Sequence, residues 1–394
     1  MNVHDAPPRR TLRLVLSGLA AALALALLFL LRPAQKVDEL RIGVLAPLSN
    51  THLRLGLSLR ALGELERRIN AEGGLEAGGK RHKLRLVVRD SGNQMELLLS
   101  SVNQLLKQEG VSAIIGPFFS REAQPVAGLA EAARVPMLLP TASMPELTRG
   151  RSYVFRACVT DSAQAEALAA FTIGELRQRR AAVLFDEADP YSSGQAELFR
   201  QAFARQGGEV VSREAYVPGR KDFSEQLGRI RASGAGVLLL PNFPDDLRLQ
   251  MAQARKAGFK GVFLGGDGWD SDRSLRTLPE AQGAFFSADF AVETLPVRAR
   301  EELSGYESVL GEALDQEPVV SLDCLGLLLA AAKAGGGAGP EALRKGLGLL
   351  RDYEGLTGRI SFGLGGDAVR GVHILGIAEG RAHLRQAMPA QAER

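Results

Sequence analysis

Residues 113–147 read AIIGPFFSREAQPVAGLAEAARVPMLLPTASMPEL, and their hydrophobic pattern changes period twice. Ala113–Ile115 is a short apolar run, residues 122–133 carry apolar positions at helical spacing, and Pro136–Leu139 is apolar again. A strand, a helix and a second strand, with the strands apolar on both faces, describe a right-handed crossover between parallel strands of a covered sheet. Two loops of small residues and proline, GPFFS and PTAS, leave the carboxyl ends of those strands. In PTASMPEL two readings stand side by side. Ser143 and Glu146 have capping-box spacing, with Pro145 tolerated in a first helical turn. Alternatively, Thr141, Ala142 and Ser143 form a shelf of small polar groups where open α/β sheets bind ligands.

The alternation extends in both directions. Arg41–Ala46 and Leu84–Val88 read as strands, and Met95–Leu106 as a helix. Leu55, Leu59, Leu62, Leu65 and Ile69 mark a helix that Gly73-Gly74 ends. The pattern restarts with strands at 181–185, 209–216, 237–240 and 261–264 and helices at 195–204, 223–232 and 247–257. Helices follow at 301–314, at 321–333 and from Pro340, with late strands near Ile360 and at His373–Ile377. A chain of 394 residues exceeds one ordinary core. Two α/β units are therefore expected, with the last elements joining one or both sheets.

The formal charge of +3 belongs to the N-terminal segment. Residues 1–36 hold Arg9, Arg10, Arg13, Arg32 and Lys36 against Asp5, which leaves 43 basic and 44 acidic residues in the body. That balance, with only 6% aromatic residues, excludes the basic, ring-lined surface of a nucleic-acid binder. Leu14–Leu31 is an 18-residue run without a charge, preceded by arginines. It just reaches spanning length and favours a cytoplasmic N-terminus. With Arg32 three residues before any cut at Ala34, an uncleaved anchor is the first reading and a removed signal peptide the second. Either way the body is exported. Cys158 and Cys324 sit in apolar settings and read as buried thiols, although the compartment permits a disulfide.

Enzyme signatures lack their parts. GLEAGGKR (74–81) has P-loop spacing but Arg81 where a hydroxyl must hold magnesium, and it follows a helix instead of a strand. No G-x-G-x-x-G follows the first strand, no G-x-S-x-G occurs, and the five histidines have no metal spacing. No cofactor or metal is expected.

Several stretches occur in an order that resembles one family: IGVLAPLS, RRINAEGGL, VVRDSGN, IIGPFFSREAQPVA, PMLLPTASMPELT, VFRACVTD, DEADPYSSG, KDFSEQLGRI and FLGGDGW. From about residue 40 to 378 the chain resembles the type I periplasmic binding proteins, in particular the leucine/isoleucine/valine-binding branch of ABC transporter receptors. The resemblance implies two Rossmann-like lobes joined by three crossings, near 156–160, 288–292 and 357–361. It divides the chain into 40–157 with 291–356, 158–290 with 357–380, and a tail at 381–394.

Residue by residue, the resemblance implies the following site. Ser120, at a helix start that attracts anions, matches a serine that holds a ligand carboxylate; its plain alternative is an N-cap. Ser143 matches an assisting hydroxyl, with Thr141 and Ala142 offering backbone groups. Tyr191 matches an aromatic that closes over the ligand, and Asp267 an acid that pairs with a ligand ammonium; an Asx turn is the alternative there. Phe119 and Phe118 replace smaller family residues, Phe243 stands where an aromatic is usual, and Trp269 follows Asp267 by two positions. The implied function is a solute-binding receptor for an apolar or small amino acid, delivering it to a membrane permease of the ABC type. The alternative is a membrane-tethered sensor or scaffold of the same fold that binds an amide or another small molecule.

Overall fold

A computed structural model describes residues 38–48, 55–92, 94–363 and 365–390. The apolar run at 14–31 lies outside them. In the first lobe β1 (Asp38–Ala46), β2 (Leu75–Ala77), β3 (Lys80–Asp90), β4 (Ala113–Ile115), β5 (Met137–Leu139) and β6 (Val154–Arg156) form a sheet in the order β2-β3-β1-β4-β5-β6. β1, β4, β5 and β6 are parallel neighbours, and β2–β3 is an antiparallel hairpin. Helices α1 (Leu55–Ala71), α2 (Met95–Asn103) and α3 (Ser120–Ala133) make the connections. The chain leaves β1 for one side of the sheet and returns to β4 on the other, so the order reverses there. Ligands in open sheets bind at such a reversal; the loop after β4 flanks it and the loop after β5 lies one strand further along the sheet.

The second lobe begins with α4 (Asp161–Gly174), which sequence periodicity did not reveal. Asp161, Gln164, Ala165, Leu168, Phe171 and Thr172 are all buried, so no continuous polar stripe marks its period. Strands β7 (Arg180–Asp186), β8 (Glu209–Tyr216), β9 (Val237–Leu239), β10 (Val262–Gly265) and β11 (Phe285–Ala288) are parallel. They alternate with α5 (Pro190–Arg205), α6 (Ser224–Ala232) and α7 (Pro244–Lys256). Next come α8 (Val297–Leu310), α9 (Gln316–Gly335), α10 (Pro340–Leu349) and the small sheet of β12 (Tyr353–Gly355), β13 (Gly358–Phe362) and β14 (Ala368–Val369). Finally β15 (Val372–Ala378) and β16 (Arg381–Met388) complete the second sheet, in the order β16-β15-β11-β10-β9-β7-β8. Its order reverses at β7, between β8 and β9.

Helix α9 is long and apolar enough to cross a membrane. Its Val320, Cys324, Leu325 and Leu328 pack instead against Leu40, Ile42, Val44 and Leu62, which makes it the core helix of the first lobe. Two expected boundaries change. Ile360 and Phe362 of β13 pack in that same core with Leu138 and Phe155, so the third crossing lies at Arg370-Gly371 and not at 357–361. The expected tail at 381–394 contains β16, an edge strand paired antiparallel to β15; its short side-chain alternation of exposed and half-buried residues gave little apolar signal.

The three crossings meet at one guanidinium. Arg370 donates to the carbonyl oxygens of Ala157 at 2.7 Å, Asp289 at 3.3 Å and Thr357 at 3.2 Å. The Asp289 carboxylate lies 4.0 Å from Arg370 Nε and accepts the Val159 N–H at 2.6 Å. Fully buried Arg156 bonds the Ser143 carbonyl, the Thr148 hydroxyl at 3.1 Å and the Asp367 carboxylate at 2.9 Å. The PTAS turn is thus fastened to the hinge. Cys158 and Cys324 are both buried and free, the first of the two readings of the thiols.

Candidate functional site

Between the carboxyl ends of the two sheets lies a cavity of about 30 Å³. Phe118, Phe119, Ser120, Thr141, Ser143, Gln316 and Glu317 line it from the first lobe, and Tyr191, Phe243, Asp267, Gly268 and Ser271 from the second.

The first-lobe wall is built on Gly116. Its φ is +94°, and a Cβ there would stand 2.4 Å from the Leu45 carbonyl oxygen, so only glycine allows the chain to turn so close to β1. The turn delivers Phe119 as the extended N-cap of α3 and Ser120 as its first residue. Neither side chain caps the helix; Ser120 Oγ instead accepts the Met144 N–H at 3.3 Å, while Thr141 Oγ1 donates to the Phe118 carbonyl at 2.8 Å. Those two bonds stitch GPFFS to PTAS. The Glu122 and Ala123 N–H groups donate to the Phe119 carbonyl at 3.1 and 2.9 Å, whereas those of Ser120 and Arg121 have no acceptor within the helix and, with the helix dipole, form a positive pole. Glu122 in the same turn is buried and accepts from Ser91 at 2.8 Å. Burial pushes its carboxyl up to about 7, so it opposes that pole only partly at neutral pH.

The capping-box reading of Ser143 fails. Pro145–Leu147 is a single 3-10 turn without a side-chain cap. The Ser143 carbonyl accepts the Asp161 N–H at 3.0 Å and bonds Arg156, which holds the residue in the hinge. Ala142 packs its side chain into the first-lobe core and can reach the cavity only through its backbone.

The second-lobe wall is acidic and aromatic. Asp189 caps α5 by accepting the N–H groups of Tyr191 at 2.9 Å and Ser192 at 3.1 Å. The Tyr191 hydroxyl accepts the Gly268 N–H at 3.2 Å. Phe243, the N-cap of α7, stands 5.4 Å from the Tyr191 ring and meets Phe119 of the first lobe edge to face at 5.3 Å. The Asp267 N–H donates to Gln164 Oε1 at 3.0 Å, whereas its buried Oδ2 has no hydrogen-bond partner. Burial, then the nearby charges of Asp161 and Asp289, push the Asp267 carboxyl well up. Asp161, at the start of α4, lies beside Ser143 and Gln195 with neither oxygen in a well-formed hydrogen bond, and burial pushes it up to about 7. Two buried carboxyls with unused acceptors face the start of α3, and although burial disfavours their charge, a cation beside them would favour the ionised form.

Trp269 is not at the site. Its ring is buried in the second-lobe core against Phe286, and its Nε1 donates to the Leu240 carbonyl at 2.8 Å. Gly265 makes this possible, since a Cβ there would fall 1.9 Å from the indole. Sequence reasoning missed Gly268, Ser271, Gln316 and Glu317, and behind the wall Asp161, Gln164 and Gln195. Asp161 was within sight: VFRACVTD ends on it, and two lobes meet there. Among the described residues no group of three or more His, Cys, Asp or Glu is arranged for a metal.

A profile of the periplasmic binding proteins matches residues 39–381. The chain belongs to that family. This binding protein is similar to the Leu/Ile/Val-binding protein BraC3 of Rhizobium johnstonii, 26% identical over 91% of this chain and 94% of the relative. It is 30% identical to Leu/Ile/Val-binding protein homolog 3 of Brucella melitensis, in a match covering 58% of this chain and less than two thirds, 61%, of that protein. Among solved structures it superimposes on a leucine binding protein, LivK, of Thermotoga maritima with a TM-score of 0.81 and 25% identity, covering 89% of this chain and 99% of the other.

Proposed function

We propose that this binding protein is an extracytoplasmic receptor that closes on an apolar or small α-amino acid and presents it to an ABC-type importer. The observation that carries the reading is one cavity lined by helix-start donors from one lobe and by a buried carboxyl with an unused acceptor from the other. Ser120, Thr141, Ser143 and the amides at the start of α3 receive the ligand carboxylate. Asp267 receives the ammonium, with Tyr191, Phe119 and Phe243 closing over it, and Asp161 adds a second acid behind it. A zwitterion bridges the lobes and stabilises closure through the crossings that Arg370 ties together. The names of BraC3 and LivK support an amino-acid ligand and an importer partner. Residues 14–31 are the proposed inner-membrane anchor, which keeps the receptor beside its permease.

The test is a thermal-shift panel on the purified protein with the common amino acids, their amides and benzoate at millimolar concentration. A ligand at about a hundred times its dissociation constant adds roughly 2.7 kcal/mol of stability. A shift by at least one free amino acid, absent for its amide and for benzoate, is the expected result. Shifts by amides alone would favour the tethered sensor.

A further inference from the structure

We infer that Phe119, opposed by Phe243, limits the ligand of this receptor to α-amino acids with the smallest side chains, of the size of glycine, alanine or serine. The inference rests on the amino-acid reading above and goes on to name the ligand's size class. Once a carboxylate lies at Ser120 and an ammonium at Asp267, the main-chain atoms of the ligand occupy the cavity of about 30 Å³. A side chain must then push against its apolar wall.

That wall is built from both lobes and braced from behind. Phe119 meets Phe243 edge to face at 5.3 Å, and Phe243 leans on Tyr191 at 5.4 Å. Tyr191 cannot retreat easily, because its hydroxyl is bound to the Gly268 N–H and lies so close to Gly266 that a Cβ there would stand 2.4 Å away. On the other side Phe119 packs against a buried cluster of Ala46, Leu55 and Phe118. A four-carbon side chain therefore has to push apart a pair of rings that are each supported, or hold the lobes ajar. Overfilling a packed apolar site is unfavourable even for single methylenes, and one methylene changes selectivity by roughly 10- to 200-fold.

Calorimetric titration of the full chain with glycine, alanine, serine, leucine, isoleucine and valine tests this. Wild type is expected to bind the best of the three small ligands at least about 10-fold more tightly than leucine. Phe119→Ala should reverse the order by gaining leucine affinity, and Phe243→Ala, which opens the wall from the other lobe, should do the same if Phe119→Ala folds poorly. Leucine binding to wild type as tightly as alanine, or variants with an unchanged alanine-to-leucine ratio, would overturn the size limit and leave the receptor reading standing. Binding of none of the six ligands would overturn both.

Discussion

Replacing Asp267 by Asn changes the site by one charge and almost no volume. In the closed cleft the carboxylate is buried, its Oδ2 has no protein donor, and its neighbours are Asp161, Tyr191 and Gln164. A ligand ammonium supplies the missing donors, and a hydrogen bond to a charged group is worth about 1.5–3 kcal/mol. At about 1.4 kcal/mol per decade, Asp267→Asn should weaken amino-acid binding roughly 10- to 150-fold. The unliganded protein should respond differently. Burial and like charges already disfavour the ionised form, so the neutral amide removes repulsion and the melting temperature at pH 8 should stay level or rise. Titration calorimetry gives the first quantity and scanning calorimetry the second. Affinity retained within about twofold would remove Asp267 from ligand recognition. A fall of several degrees in the unliganded variant would instead make the carboxylate a scaffold element.

Ser120→Ala should weaken free amino acids more than their amides, because the carboxylate loses a donor at the start of α3; equal losses in competition titrations would contradict that role. Asp161 and Glu122 each sit near 7 and Asp289 near 6 in the fold, against ordinary values near 4 when unfolded. The native state therefore holds extra protons between those limits, so their stabilising contribution is full below about pH 4 and lost as pH rises through 6 to 7. Melting temperature should fall between pH 5 and pH 8, and Asp161→Asn should reduce the accompanying loss of stability by up to about 3 kcal/mol; a profile that rises over this range would be the wrong sign. Arg370→Met should cost about 3–5 kcal/mol in denaturant titrations, since it leaves Asp289 buried without its cation and strips the Ala157 and Asp289 carbonyls of the other two crossings, and that of Thr357, of their donor. A loss below about 1 kcal/mol would show that the crossings hold themselves.

Much of the architecture was legible from local chemistry. Apolar strands alternating with amphipathic helices announce a covered parallel sheet, and the loops GPFFS, PTAS and GGDGW advertise themselves by residues that tolerate close approach. Elements without contrast stayed hidden. α4 is buried on most sides and β16 is half exposed along its length, so neither shows the polar-against-apolar alternation that sequence reading depends on. Likewise α9 passes for a membrane span until the sheet it covers is in place.

By itself the sequence determined the two-unit α/β plan, because strand ends and helix starts are local, and the resemblance of its loops to one family named the candidate hydroxyls and the candidate acid. Only the tertiary structure decided which side chains face the cleft. Trp269, two residues from Asp267, turns into the core because Gly265 leaves space for its ring, while Gln316 and Glu317 reach the cavity from the start of α9, the core helix of the first lobe, far along the chain from the other lining residues. Adjacency in sequence fixes neither direction. A side chain's direction is set by what packs behind it, and in this fold the chain crosses between lobes three times before that packing is complete.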